Sequence, residues 1–136
     1  MSDKLQKIEA FIAQHHVMSL ATSYLDNVSV CSVFYVYDAD KQSFIFASDK
    51  ESLHVINALK NNYVAANILL ETDEVGKIQG LQARGIFQKT DKTDAKLYYK
   101  RFPYALAMQP SLWKMEVDFF KLTDNRLGFG KKLIWP

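Results

Sequence analysis

Ser43-Phe-Ile-Phe-Ala-Ser-Asp-Lys-Glu-Ser-Leu-His-Val-Ile-Asn-Ala-Leu59 is the stretch around which the chain is organised. Phe44, Ile45 and Phe46 form a short apolar, aromatic-rich run of the kind that makes a strand. The period then changes. Leu53, Ile56 and Leu59 recur every three positions, with Val55 beside them, which predicts a helix carrying them on one apolar face. The polar interval from Ser48 to Ser52 turns the chain between the two elements. Ser52 stands where an N-cap belongs, its hydroxyl expected to accept from a free N–H of the first turn. Unpaired amides and the positive end of a helix dipole favour an anion at such a place, and hydroxyls and Lys50 lie close by. Serine and lysine are also ordinary loop residues, so a phosphate site has to be argued from the rest of the chain.

Upstream, Leu5, Ile8, Phe11 and Ile12 make a helical stripe from about Asp3 to Gln14, and Asp3 and Gln6 have the spacing of a capping box. His15-His16 follows, without a Cys, Asp or Glu at metal-ligand spacing, so a solvent-facing or locally bonded pair is expected. Val17–Tyr24 reads as a strand, Asp26-Asn27 as a hairpin turn, and Val28–Tyr37 as a strand. On that strand Val28, Val30, Ser32, Phe34 and Val36 point one way and Ser29, Cys31, Val33, Tyr35 and Tyr37 the other; both faces are largely apolar, which predicts a central strand. Asp38–Lys41 closes a second hairpin into Ser43–Ala47.

Downstream, Asn61-Asn62 ends the helix. Tyr63–Leu70 and Lys77–Lys89 read as strands, with Gly80 and Gly85 marking bulges or close backbone approach. Asp91–Phe102 reads as a helix capped by Asp91 or Thr93, with Ala95, Leu97 and Tyr98 on its apolar face and Pro103 stopping it. Tyr104–Ser111 is irregular. Leu112–Thr123 alternates cleanly, Trp113, Met115, Val117 and Phe119 against Lys114, Glu116 and Asp118, and Leu133–Trp135 is a last short strand. Many hairpins and few crossovers predict a mainly β protein: an antiparallel barrel with helices, one domain over residues 1–136.

The totals narrow the function classes. A formal net charge of +2 with dispersed basic residues gives nucleic acid no footprint. No apolar run is long enough to span a bilayer, and the N-terminus has no signal-peptide pattern. The single cysteine, Cys31, fits a reducing compartment, so a cytoplasmic location is expected. There is no P-loop, no G-x-G-x-x-G and no G-x-S-x-G. No catalytic side chain stands out, so redox chemistry here would have to come from a bound cofactor.

The order helix, hairpin strands, then F-x-F-x-S-x-K-x-S-x-H opening a helix resembles the pyridoxamine-phosphate-oxidase-like, FMN-binding split barrel. The likeness is greatest to its YhbP-like branch. It extends over nearly the whole chain and is most specific in Phe120-Lys-Leu-Thr-Asp-Asn-Arg-Leu-Gly-Phe-Gly-Lys-Lys-Leu-Ile-Trp135, with Arg101-Phe-Pro103 and His15-His16-Val17 in support. The resemblance implies a split antiparallel barrel that binds FMN as a homodimer, with flavin between subunits, and serves as a flavin-dependent oxidoreductase on a small molecule. Flavin-binding relatives grip the phosphate with S-x-K at the helix start. Ser52 matches the serine, and His54 occupies the lysine position, with Lys50 as a substitute cation. Ser48 and Asp49 match the part beside the ribityl chain. The strand from Ser29 to Val33, Ser32 included, matches the one that lies against the isoalloxazine. Relatives often place an arginine or lysine near that strand; none lies between Val28 and Tyr37 here. Gln82, Arg84, Trp113 and Lys131 are further contact candidates by the same resemblance, although Trp113 also reads as core or interface and Arg84 as the partner of a surface carboxylate. Because His54 replaces the lysine, the alternative is a non-catalytic binding module without flavin, or one holding another planar ligand such as haem on His15, His16 or His54. Pyridoxamine phosphate oxidation itself is a weaker reading, since the chain is short and lacks an arginine set for a substrate phosphate.

Overall fold

A computed structural model describes residues 3–136. The strands are β1 (Val17–Tyr24), β2 (Asn27–Asp38), β3 (Ser43–Ala47), β4 (Tyr63–Leu70), β5 (Gln79–Lys89), β6 (Leu112–Asp124) and β7 (Lys132–Trp135), and the helices are α1 (Asp3–Ala13), α2 (Leu53–Lys60) and α3 (Lys92–Arg101). All strand pairs are antiparallel, in the order β3-β2-β1-β4-β5-β6-β7, and β3 also pairs with β6. That extra pairing closes six strands into a barrel and leaves β7 as an appendage on the second half of β6. The expected mainly β barrel is the observed one.

The barrel is filled from inside and plugged by α1. Ile8, Phe11 and Ile12 of α1 join Met18, Leu20, Tyr35, Phe44, Phe46, Met115 and Phe120 in one buried cluster. Tyr35 and Phe120 meet Phe44 edge-on at ring-centroid distances of 5.1 and 6.4 Å, the geometry that opposes positive ring edge to negative face. Ile45, on the other side of β3, packs with Tyr98 and Phe102 of the α3 segment. Both faces of β3 are thus covered.

Several local readings are corrected. The first hairpin turns at Leu25-Asp26, both at positive φ, because Tyr24 pairs with Asn27. Only the Val33–Tyr35 side of β2 is in the core, while Val28, Val30 and Phe34 face outward. Helix α2 is rotated relative to its apolar stripe. Val55 and Ala58 are buried, whereas Leu53, Ile56 and Leu59 are exposed. Lys77 lies in a 3-10 turn (Val75–Lys77), so β5 starts at Gln79, and Pro103–Met108 is a 3-10 segment. Asp3 already lies within α1, and the position before it lies outside the described residues.

The alternation of β6 also breaks. Arg84 pairs with Phe119 but Gly85 with Val117, so Asp118 is an inserted bulge residue. The insertion reverses the phase, because side chains alternate with period 2 on either side of it. Trp113, Met115 and Val117 point inward as expected, but beyond the bulge Phe120 and Leu122 do so, and Phe119 turns outward. Gly85 permits this: an added Cβ would stand 2.0 Å from the Glu116 carbonyl oxygen. Gly80 has no such need, its nearest neighbour being Leu69 at 3.9 Å.

Candidate functional site

The polar interval leaves the sheet where β3 ends and wraps onto α2. Ser48 is fixed by backbone on both sides: its N–H donates to the Ser111 carbonyl at 3.0 Å, and its carbonyl accepts from the Trp113 indole N–H at 2.9 Å. Trp113 is buried and stacked on Phe87 with centroids 5.1 Å apart, so it braces Ser48 from the core. The Ser48 hydroxyl is hydrogen-bonded to His54 Nε2. Burial holds the His54 imidazole below its ordinary pKa, so at neutral pH the ring is neutral, and its Nε2 and the Ser48 hydroxyl share one proton between them.

Ser52 departs from the expected cap. It takes the N-cap position, but its hydroxyl donates to the Asp49 carbonyl at 2.6 Å and caps no amide. Asp49 in turn accepts from the Glu51 N–H at 2.9 Å. The first helical bond of α2 runs from Ile56 N–H to the Ser52 carbonyl. The amides of Leu53, His54 and Val55 therefore precede the ladder, and no side chain caps them. Lys50 is exposed on the same loop. Ser48, Asp49 and Lys50 form one wall of an open groove of about 410 Å³ whose other wall is Met108, Gln109, Pro110 and Ser111. Uncapped amides, a helix dipole and an exposed ammonium fit a phosphate.

The remaining sequence candidates divide. Ser32, Gln82 and Arg84 are exposed on the outward face of the sheet, where the register aligns them in rows. One row runs Ser32–Ser19–Asn67–Gln82–Lys121, and the next runs Val30–Ala21–Ala65–Arg84–Phe119. Lys131 lies away from both groups, in the turn before β7, its carbonyl accepting from the Asp124 N–H at 2.9 Å. The small floor residues Ser19, Ala21 and Ala65, and the groove wall at Ser111, were not among the sequence candidates. The spacing of small residues on alternate positions of β1 was the available signal.

Of the two adjacent histidines, His16 is exposed and bonded across the fold, and His15 is half-buried against a neighbouring ring. Arg101 donates to His16 Nδ1 at 3.2 Å, and the His15 ring lies 4.5 Å from that of Phe11. His15, Tyr35, Tyr37 and Arg101 line a second cavity of about 320 Å³. No group of three or more potential metal ligands occurs among the described residues, and no helix there is long and apolar enough to cross a membrane.

No family model matches the chain. It is 32% identical over 138 residues to a UPF0306 protein of Photorhabdus laumondii, covering 98% of this chain and 96% of that one. The chain belongs to the UPF0306 family. A second UPF0306 protein, YhbP of Escherichia fergusonii, is 29% identical over 137 residues, with 98% and 93% covered. Among solved structures, a heme binding protein from Mycobacterium smegmatis superposes with a TM-score of 0.80 at 13% identity, over 99% of this chain and 58% of that longer one. A FAD-binding protein from Mesorhizobium loti gives 0.72 at 9% identity, over 90% and 94%. A candidate pyridoxamine 5'-phosphate oxidase from Listeria innocua gives 0.65 at 18%, over 85% and 94%. At these identities the likeness is one of fold, and the UPF0306 chain shares the split-barrel architecture of these structures.

Proposed function

We propose that the protein binds FMN as a homodimer and acts as a flavin-dependent oxidoreductase on a small molecule. The observation that carries the reading is the uncapped first turn of α2 beside Lys50 and the Ser48–His54 pair. The amides of Leu53, His54 and Val55 and the Lys50 ammonium hold the phosphate. The outward side of β2 from Ser29 to Val33 supports the ring. The bound flavin supplies the hydride or electron transfer; the chain's part is to anchor, orient and shield it. A second copy is supported by the apolar surface left to water: Val28, Val30 and Phe34 are 78%, 68% and 56% exposed, and Leu53 on α2 is 63% exposed.

The test begins with the visible spectrum of the purified protein before and after addition of FMN, followed by titration of Lys50→Ala. The expected result is a retained flavin spectrum, a dimer by sedimentation, and an FMN affinity that falls at least tenfold in the variant. An unchanged affinity would remove the phosphate assignment. The second reading, a haem or other planar-ligand module without flavin chemistry, is favoured by the cavity at His15. His54 Nε2 is engaged by Ser48 and His16 Nδ1 by Arg101, which leaves His15 as the histidine lining an apolar space. Burial and then the neighbouring His16 lower its pKa, so it is an unprotonated ligand candidate at pH 7. A haem band lost in His15→Ala would select this reading.

A further inference from the structure

Arg84 is a cation on the outward face without a carboxylate to meet: among the described residues, no Asp or Glu forms an ion pair with it. Its guanidinium lies over the Phe119 ring, 4.2 Å from the centroid. This plate exists because of the bulge. If Asp118 paired regularly with Arg84 instead of bulging out, Phe119 would fall opposite Ala83 and point into the barrel with Val117, and Arg84 would have no ring to rest on. Stacking holds the guanidinium plane while leaving its edge free to donate. The residue also lines a shallow depression of about 270 Å³ with Ala21, Ser23, Val28, Tyr63 and Ala65. Val30 and Arg84 stand in one row, separated by Ala21 and Ala65, and three strand spacings put them roughly 14 Å apart. Between them the floor is made of methyl groups alone, low enough for a flat ring to lie on.

We infer that Arg84 faces the pyrimidine edge of the flavin ring and stabilises the negative charge that the ring gains on reduction; the inference rests on the FMN reading above. The choice of edge follows from chemistry. Arginine donates and never accepts. One edge of the ring is a dimethylated hydrocarbon with nothing to receive a proton, whereas the other carries N1 and the C2 and C4 carbonyls. Reduction brings two electrons and one proton to the ring, the proton on N5, and leaves one negative charge spread over N1 and the C2 carbonyl at neutral pH. A fixed cation beside that charge binds the reduced ring more tightly than the oxidised one. It also supplies, from β5, the cation that β2 lacks between Val28 and Tyr37.

The test compares midpoint potentials of the FMN-loaded full chain, Arg84→Met, Arg84→Lys and Lys50→Ala, measured by reductive titration against a reference dye. Arg84→Met is expected to lose at least tenfold in affinity for reduced relative to oxidised FMN, which lowers the potential by about 30 mV for a two-electron couple. Oxidised FMN should bind within threefold of the parent. Arg84→Lys restores most of the potential, because it keeps the charge without the flat stack. Lys50→Ala shows the opposite pattern, weaker binding at an unchanged potential. Equal potentials in the parent and Arg84→Met would overturn the inference while leaving FMN binding intact. A loss that lysine fails to restore would overturn it too, by making Arg84 a packing residue on Phe119. A parent chain that takes up no FMN removes the flavin reading itself, and the role of Arg84 with it.

Discussion

At Gly85 the contact is backbone on backbone. The Glu116 carbonyl oxygen, 2.0 Å from an added Cβ, cannot rotate away as a side chain could. Gly85→Ala should therefore destabilise by about 3 kcal/mol, the upper part of the overpacking range, whereas Gly80→Ala should change urea stability by less than about 1 kcal/mol. Asp94 is a second demanding position. Its side chain is fully buried and bonded to Lys41 at 3.1 Å and Lys114 at 2.9 Å, and it completes a capping box with Asp91. Burial alone would raise its pKa, but the Asp91 N–H and the two ammonium groups outweigh it and pull the carboxyl down to about 2. A depressed folded-state pKa contributes stability above the unfolded value near 3.8 and loses it as pH falls toward 2. Asp94→Asn should thus cost about 2 kcal/mol at pH 7, and the gap to the parent should close between pH 4 and 2 in urea melts. None of this depth was legible in sequence. Asp94 reads as one more polar residue in a helix start, because what buries it is the approach of the β2–β3 hairpin and β6.

At the scale of elements, the boundaries were largely legible and the orientations were not. Strand and helix limits follow from local period and punctuation, and nearly all of them stand. Which face of α2 is inside depends instead on how the helix is docked on β1. The Leu53, Ile56 and Leu59 stripe is as apolar as the Val55 and Ala58 side, so sequence period could not choose between them. Val55→Ala should cost about 2 kcal/mol, while Leu53→Ser should leave the thermal stability of the isolated chain nearly unchanged and weaken any dimer; melting and sedimentation read the two effects apart. The Phe119 reversal has a related cause. A bulge is one extra residue, invisible to alternation until the partner strand is known. The hydroxyl, imidazole and lysine cluster of the candidate site was legible for the opposite reason: it lies within seven residues, from Ser48 to His54, and needs only one turn to assemble. Gln82 and Arg84 joined Ser32 on one face through registers spanning four strands, which no local pattern encodes.

For the molecule as a whole, the decisive contact is the one between β3 and β6, which pairs Ser43 with Glu116 and Ala47 with Leu112. Every other strand pairing except β1 with β4 joins neighbours in the strand sequence. Closure therefore carries the largest loop entropy and is expected to limit the folding rate, so that Met115→Ala in β6 slows refolding more than Ile68→Ala in β4 for equal loss of stability, as stopped-flow kinetics can measure. The same geometry has a consequence during synthesis. β3 is the sequence Ser-Phe-Ile-Phe-Ala with four of its five residues fully sheltered in the finished barrel. The residues that cover its free edge, Leu112–Glu116 of β6, leave the ribosome only after α2, β4, β5 and α3 have been made. Until then a nascent chain carries an aromatic, uncharged strand edge open to its neighbours, the pattern that seeds aggregates. A chain ending at Ser111 should accordingly accumulate in inclusion bodies, and co-expression of a chaperone that shields nascent chains should raise the soluble yield of the full chain more than slow refolding after purification does.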